Sequence, residues 1–393
     1  MNRAQWLSEF DAQLDQLVSL PPTRLSRGEI EAAKRVYLMG ASSQLGQTFV
    51  PSIAPALRDW GVDVLLVDDR LAPEHAEHHG CKVLSTEDFV IDAQQYPGGL
   101  AVTMVNALFA DGFFRHAAQR ASVRILDVIC VLDLLGLPVI YQHANVMREQ
   151  TLKRLEDYKQ LARRFDDELS IRTLAAMLKL RASFDRQVLL PVLCSTEDEY
   201  FTTFAAGSHN TFTIGRDEVF VDIGAHRGTV INKFLLAADW SFKAIHAFEP
   251  DLLNYQELKK GHFASLPNLH AHNVAVSDEC STLRFSQTGT MGSRLDDSGN
   301  VEVQVVPLDE IVDYATFLKM DVEGHETRVL SGARQLLSRH KPRLAVTCYH
   351  YADDMLDIVD LLTEIEPTYK LRLRHHSYYY YDTVLYAHSD SVK

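Results

Sequence analysis

At 393 residues, 46% of them hydrophobic, the chain is long enough for two domains that each bury a core. A formal net charge of −14 repels phosphate backbones and anionic headgroups, which argues against nucleic acid or a membrane surface as partner. No apolar run approaches the roughly 20 residues that span a bilayer. The opening MNRAQWLSEF is no secretory leader, and the five scattered cysteines lack a C-x-x-C pair, so the expectation is a cytoplasmic protein with reduced thiols.

In chain order, a helical segment leads into a buried strand at Val36 to Gly40, the turn GASSQLG, a helix from Thr48 to Trp60 and a strand from Val62 to Val67 that ends in Asp68 and Asp69. This is a small Rossmann-like unit with its own glycine turn and acid, either a nucleotide site or a structural remnant. Further strands are expected at Leu100 to Val105 and Val139 to Tyr141, with helices at Asp111 to Arg120 and Ile125 to Leu135. From Arg148 to Arg186 the apolar spacing is helical without sustained heptads, which reads as a connector. Tyr200, Phe201 and Phe204 follow without clear period and read as packing rather than as a cap.

The second half alternates strands at Val219 to Ile223, Lys243 to Phe248, Leu269 to His272, Phe317 to Met320 and Leu344 to Cys348 with helices at Val230 to Ala238, Leu252 to Phe263, Glu326 to Ser338 and Asp353 to Ile365. That order makes a parallel sheet. Tyr369 to Leu373 and Thr383 to Ala387 should close it as an antiparallel hairpin, with Tyr378 to Tyr381 at an exposed tip and the basic run RLRHH, Arg372 to His376, on a solvated face. The fold class is therefore α/β, divided as 1–147, a connector at 148–205 and 206–393.

The densest signal is VFVDIGAHRG at Val219 to Gly228, answered by HAFEP at His246 to Pro250. A glycine turn between strand and helix lets a ligand approach the main chain, and Glu249 at the next strand end can accept from both hydroxyls of a ribose. With Asp222 at the strand end and no third glycine, the turn is not a dinucleotide fingerprint, which disfavours NAD.

Here the chain resembles the class I methyltransferases that use S-adenosylmethionine. The ordered motifs VDIGAHRG, AFEP, NVAVSD, LKMDVEGHE, VLSGA and KPRLAVTCYH are similar to those of the FkbM family, and DDELSIRTLAAMLKLR and EYF look like the lead-in of members with an extra N-terminal domain. The resemblance implies a cofactor held by Asp222, Gly224, Ala225, Gly228 and Glu249, with Asn273 and Val274 flanking the adenine. It also implies O-methylation of a sugar or secondary metabolite.

Methyl transfer to oxygen needs a held nucleophile and a proton acceptor. Asp321 at an inner strand end is the first candidate, followed by His350 and Glu323. Asp321, Glu323, His325 and His350 could also be imagined around a metal, but their spacing does not require one and none is expected. A small-molecule or saccharide substrate is implied, and self-association stays open. The alternatives are a catalytically silent binding protein for a nucleotide sugar or partner, and an NAD(P)-dependent oxidoreductase that uses the first unit.

Overall fold

The computed structural model describes residues 2–203, 211–290 and 292–389, so Phe204 lies outside the described residues. Two sheets organise the chain. The first has six strands in the order Glu77–His78, Cys81–Leu84, Asp63–Val67, Arg35–Met39, Leu100–Thr103 and Arg124–Asp127, parallel except at the two-residue edge. Its inner strands are apolar on both faces because helices cover both sides.

The second sheet has seven strands, ordered Leu269–His272, Ala244–Phe248, Val219–Ile223, Phe317–Met320, Arg343–Thr347, Thr383–His388 and Lys370–His375. The first five run parallel, Thr383–His388 runs against them, and Lys370–His375 pairs antiparallel with it, the closing hairpin that the sequence led us to expect. A four-stranded sheet between Ala275 and Pro307, mixed in direction, was not anticipated, because its strands alternate polar and apolar residues too briefly to stand out. No helix of the described residues is long and apolar enough to cross a membrane.

Several expectations are corrected. Val139 to Tyr141 forms no strand, only a bridge from Pro138 to His143. Ile125 to Leu135 is half strand, Arg124–Asp127, and half helix, Val128–Leu135, with the Asp127 carboxylate accepting from the Ile129 N–H at the join. The helix expected from Glu326 to Ser338 is two, Glu326–Ser331 and Arg334–His340. The Gly332 carbonyl accepts from the Asp309 N–H, and the Asp309 carboxylate accepts from the N–H groups of Gln335 and Leu336. The strand Cys81–Leu84 and the helix Thr86–Gln95 had not been singled out.

The tyrosine turn is not an exposed tip. Tyr378, Tyr379 and Tyr380 are buried, and the Tyr379 hydroxyl donates to the Val139 carbonyl at 3.1 Å. Nor is the basic run solvated, since Arg374, His375 and His376 are buried and Arg374 pairs with Asp167 at 3.1 Å. Both segments face other parts of the chain that periodicity alone does not reveal.

Arg186 makes the central connection between the halves. It is fully buried and donates to the Val105 and Tyr378 carbonyls at 2.6 and 2.8 Å, while pairing with Asp127 and, at 3.4 Å, with Asp111. Burial works against its charge, but Asp127 and Asp111 more than offset it. Arg186→Ala would leave the buried Asp127 without its cation, whereas Asp111 keeps Arg115 at 2.6 Å, and should cost about 3–5 kcal/mol. Urea denaturation of variant and parent measures this, and a difference under about 1 kcal/mol would show that the acids find other partners.

Candidate active site

A cleft of about 730 Å³ opens at the carboxyl ends of the second sheet's parallel strands, the position where open α/β sheets bind ligands. Its lining comes from both halves of the chain. The second sheet contributes Gly224, Glu249, Asp321 and Glu323, and the first unit contributes Gln44, Phe49 and Tyr141. No local pattern places that last trio beside the glycine turn.

Gly224 has φ of +80°, and a Cβ there would lie 1.9 Å from the Asp321 carbonyl oxygen, so the turn tolerates only glycine. The turn is held by bonds from the Gly224 and Ala225 N–H groups to the Phe248 carbonyl, both 3.0 Å. Gly228, also at positive φ, precedes the helix Thr229–Ala237, and the first turn of that helix lines the cleft through Thr229 and Val230.

Glu249 is buried, and its two carboxylate oxygens accept from the His226 N–H at 2.7 Å and the Asp251 N–H at 2.9 Å. A carboxylate has about four acceptor positions, so capacity for two more donors remains. Burial pushes its pKa up to about 7, against the pull of the two N–H groups. Asn273 donates to the Glu249 and Pro250 carbonyls at 2.9 and 3.1 Å, and Val274 lines the cleft beyond it.

Asp222, Gly228, Asn273 and His350 are not among the residues that line the cleft. The Asp222 carboxylate is wholly buried, 3.2 Å from the Lys319 ammonium, which also donates to the Gly224 carbonyl at 2.9 Å. Asp222 thus acts on the turn through Lys319, across the strand register that pairs the two residues.

Asp321 accepts from the Tyr200 hydroxyl at 3.0 Å and from Thr347 at 3.3 Å. Tyr200, expected to be mere packing, is therefore part of the site. Glu323, at φ of +58°, accepts from the Tyr141 hydroxyl at 2.5 Å, and the Arg294 guanidinium lies 4.3 Å above the Tyr141 ring. His350 is fully buried between Glu326 at 3.3 Å, Glu323 at 3.3 Å and Asp321 at 3.6 Å. Burial opposes its charge, but Glu326 and then Glu323 outweigh it, so its pKa stands well above the ordinary imidazole value. His325 also lines the cleft, with its Nε2 3.0 Å from the Ser277 hydroxyl and outside the His350 cluster.

Two acids absent from the sequence argument also line the cleft. Glu199 is lifted to about 8 and Asp382 to about 7, in both cases by burial first and by neighbouring carboxylates next. Among the residues missed from sequence is Asp251, which accepts from Leu253, Asn254, Gly289, Gln287 and Ser293 and so ties the segment lining the cleft at Thr290 and Ser293 to the turn that carries Glu249. Its place one residue after Pro250 in AFEPD was the available signal.

Residues 222–372 match the family described as the Methyltransferase FkbM domain. Over 98% of this chain and 100% of the other, the fold is similar to that of a methyltransferase FkbM from Methylobacillus flagellatus, with a TM-score of 0.73 and 23% identity. Looser similarity reaches Aeropyrum pernix fibrillarin in complex with S-adenosyl-L-methionine, at 12% identity over 45% of this chain and 69% of that one, TM-score 0.31. A putative methyltransferase from Streptococcus mutans in complex with SAH is similar at 10% identity over 45% and 91%, TM-score 0.30. No curated protein matches.

The turn geometry yields a controlled prediction. Gly61 also has positive φ, +77°, but a Cβ there meets nothing within 4 Å. Gly61→Ala should cost only backbone strain, about 1 kcal/mol, and Gly224→Ala distinctly more, because a carbonyl must move as well. Thermal unfolding of the two variants compares them, and equal losses would remove the steric account of Gly224.

Proposed function

Since this chain carries an FkbM methyltransferase domain at residues 222–372, we propose that it transfers a methyl group from S-adenosylmethionine to a hydroxyl of a saccharide or secondary metabolite. The observation that carries the reading is the buried Glu249 carboxylate, which retains acceptor capacity beside the Gly224 turn in a cleft that also holds Asp321. The cofactor fits this lining: Glu249 would take the ribose hydroxyls, Val274 would lie against the base, and the acid-rich end favours a cation. When bound, it supplies an electrophilic methyl carbon on a sulfonium.

The chain's own residues then have to hold and deprotonate the acceptor. Asp321, fixed by Tyr200 and Thr347, is the group we assign to orienting the hydroxyl and taking its proton. Glu323 is held by Tyr141 at a second position. His350 lies behind both and acts as a positioning residue, since it does not line the cleft. We divide the chain as 1–147, 148–205 and 206–393, with the first part supplying a wall of the acceptor end through Gln44, Phe49 and Tyr141. The Asp68 carboxylate of that part accepts from the N–H groups of Ser42, Arg70 and Leu71, which favours a structural role for its glycine turn over a second nucleotide site.

Calorimetric titration with S-adenosylmethionine, S-adenosylhomocysteine, NAD and NADP tests the cofactor. Only the first two should bind, and binding of NAD or NADP alone would move the active site to the first unit. Glu249→Ala should weaken S-adenosylhomocysteine at least about 100-fold, the loss expected for two hydrogen bonds to a charged group at about 1.5–3 kcal/mol each.

The same bonds predict a pH dependence. Ribose hydroxyls donate to the ionised carboxylate, and Glu249 titrates at about 7, so affinity should rise with pH through 7 and fall by at most tenfold per unit below it. Glu249→Gln should flatten that slope. Asp321→Asn should keep S-adenosylhomocysteine affinity within a few-fold while product formation, followed across a panel of hydroxylated acceptors, drops about 100-fold or more. Full turnover in that variant would exclude Asp321 as the base.

A further inference from the structure

Behind the proposed base, three loops converge on one buried point. Asp321 ends an inner strand, Glu326 begins the next helix, and His350 follows the neighbouring strand. One ligand atom from each lies within 4.8 Å of the others. Glu326 enters this group because the chain reverses through Glu323 and Gly324, both at positive φ, and brings its carboxylate back under Asp321. The Thr347 hydroxyl holds both acids, 3.3 Å from Asp321 and 3.1 Å from Glu326.

His350 is the independent observation. It is wholly buried, and neither ring nitrogen has a hydrogen-bond partner, although carboxylate oxygens stand 3.3 to 3.6 Å away. A buried imidazole normally makes those bonds, and leaving them unmade costs about 1–3 kcal/mol each. Nε2 faces Asp321 and Glu323 and Nδ1 faces Glu326, at separations longer than well-formed hydrogen bonds, while one ligand atom each of Asp321, Glu326 and His350 stays within the reach of a shared ion. An ion at about 2.1 Å from each donor sets neighbouring donors about 3 Å apart and opposite donors about 4.2 Å apart.

Charge points the same way. Asp321, Glu323 and Glu326 form ion pairs with His350 and with no Lys or Arg among the described residues. Lys319 is engaged by Asp222 and the Gly224 carbonyl, and Arg294 by Asp296 at 3.0 Å. Three carboxylates therefore face the imidazole and, through space, a Lys319 ammonium that Asp222 already engages, so negative charge exceeds positive in a poorly solvated place, an arrangement that favours an added cation.

We infer that Asp321, Glu326 and His350, with Glu323 at the rim, form a binding site for a divalent cation of the magnesium or manganese type. Carboxylate oxygens joined by one imidazole are the donor set such ions accept, and the absence of thiolates disfavours softer metals. The inference rests on the proposed methyl transfer only for its use: an ion beside Asp321 would lower the pKa of an acceptor hydroxyl.

The test uses the full-length protein, freed of metals with EDTA and dialysed. It is titrated calorimetrically with manganese(II) chloride and magnesium chloride, and separately, in EDTA, with S-adenosylhomocysteine. One manganese ion should bind per chain and raise the melting temperature. Glu326→Gln, which keeps the side chain's shape, and Asp321→Asn, at a partly exposed position, should each weaken it at least tenfold. Two outcomes overturn the site: no binding or thermal shift up to about 5 mM manganese, or binding that both variants leave unchanged. The three acids would then be balanced by the imidazolium and Lys319. If S-adenosylhomocysteine binds while manganese does not, this inference fails and the methyltransferase reading stands; if neither binds, both fail. Should Glu326→Gln not fold, Asp321→Asn decides.

Discussion

The active edge depends on one buried ammonium. Lys319 lies on the strand between Val219–Ile223 and Arg343–Thr347, fully out of solvent, with Asp222 at 3.2 Å and the Gly224 carbonyl at 2.9 Å. Burial alone would strip its proton, but Asp222 and then Asp321 keep it charged. A charge so placed cannot lose a partner cheaply, because an unpaired buried ion costs several kcal/mol. It therefore fixes the turn that carries Gly224 relative to the strand that carries Asp321, and the 1.9 Å a Cβ would leave between them shows how close that approach is. A short acidic motif and a lysine ninety-five residues later thus act as one piece.

The first half of the chain takes part in the same rigidity. The peptide of Ala352, two residues beyond His350, is held on both sides by residues from the earlier segments. Its N–H donates to Gln142 at 2.9 Å, and its carbonyl accepts from Tyr158 and Arg181, both at 2.8 Å. Tyr141 grips Glu323 from that side as well. These contacts give the extra unit a physical role without a ligand of its own, since the loops at the carboxyl edge are positioned from behind and from across the cleft. They also explain why the tyrosine turn is buried: Tyr378 and Tyr379 lie in the seam where Arg186 meets both halves.

Much of the second sheet was legible because short strand-like segments alternate with helical ones, and Val219–Ile223, Leu269–His272 and Phe317–Met320 are found where they were expected. Local pattern and global burial agree there. What escaped depends on contacts distant in sequence. Asp309 ends one helix and caps the next from more than twenty residues away, and no window around Gly332 contains that information. The basic run at Arg372 reads as solvated until Asp167, two hundred residues earlier, is seen to pair with it. In the site, Glu249, Asp321, Glu323 and His350 were visible as acids and an imidazole at strand ends, whereas Tyr141, Tyr200, Glu199 and Asp382 carry no signal for it: EYF marks only a lead-in, and Tyr141 and Asp382 reach the cleft from segments with no local motif. Asp222 was legible as important, but its direct partner is a lysine on the adjacent strand.

The cleft is electrostatically incomplete by itself. Glu199, lifted to about 8, stays mostly neutral near pH 7 and Asp382, lifted to about 7, is about half ionised, because burial and neighbouring carboxylates make a further negative charge costly. Such groups respond to what enters. A cation arriving nearby lowers their pKa values and draws them toward ionisation, so positive ligand charge is bound with proton release. An acid edge held on the verge of ionisation suits a reaction in which positive charge is present in the reactant and dispersed as the methyl group moves, since the same carboxylates can stabilise the cation on arrival and take up a proton afterwards. The fixed positions of Asp321 and Glu323 supply the geometry, and the raised acids around them let the local charge adjust without moving the backbone.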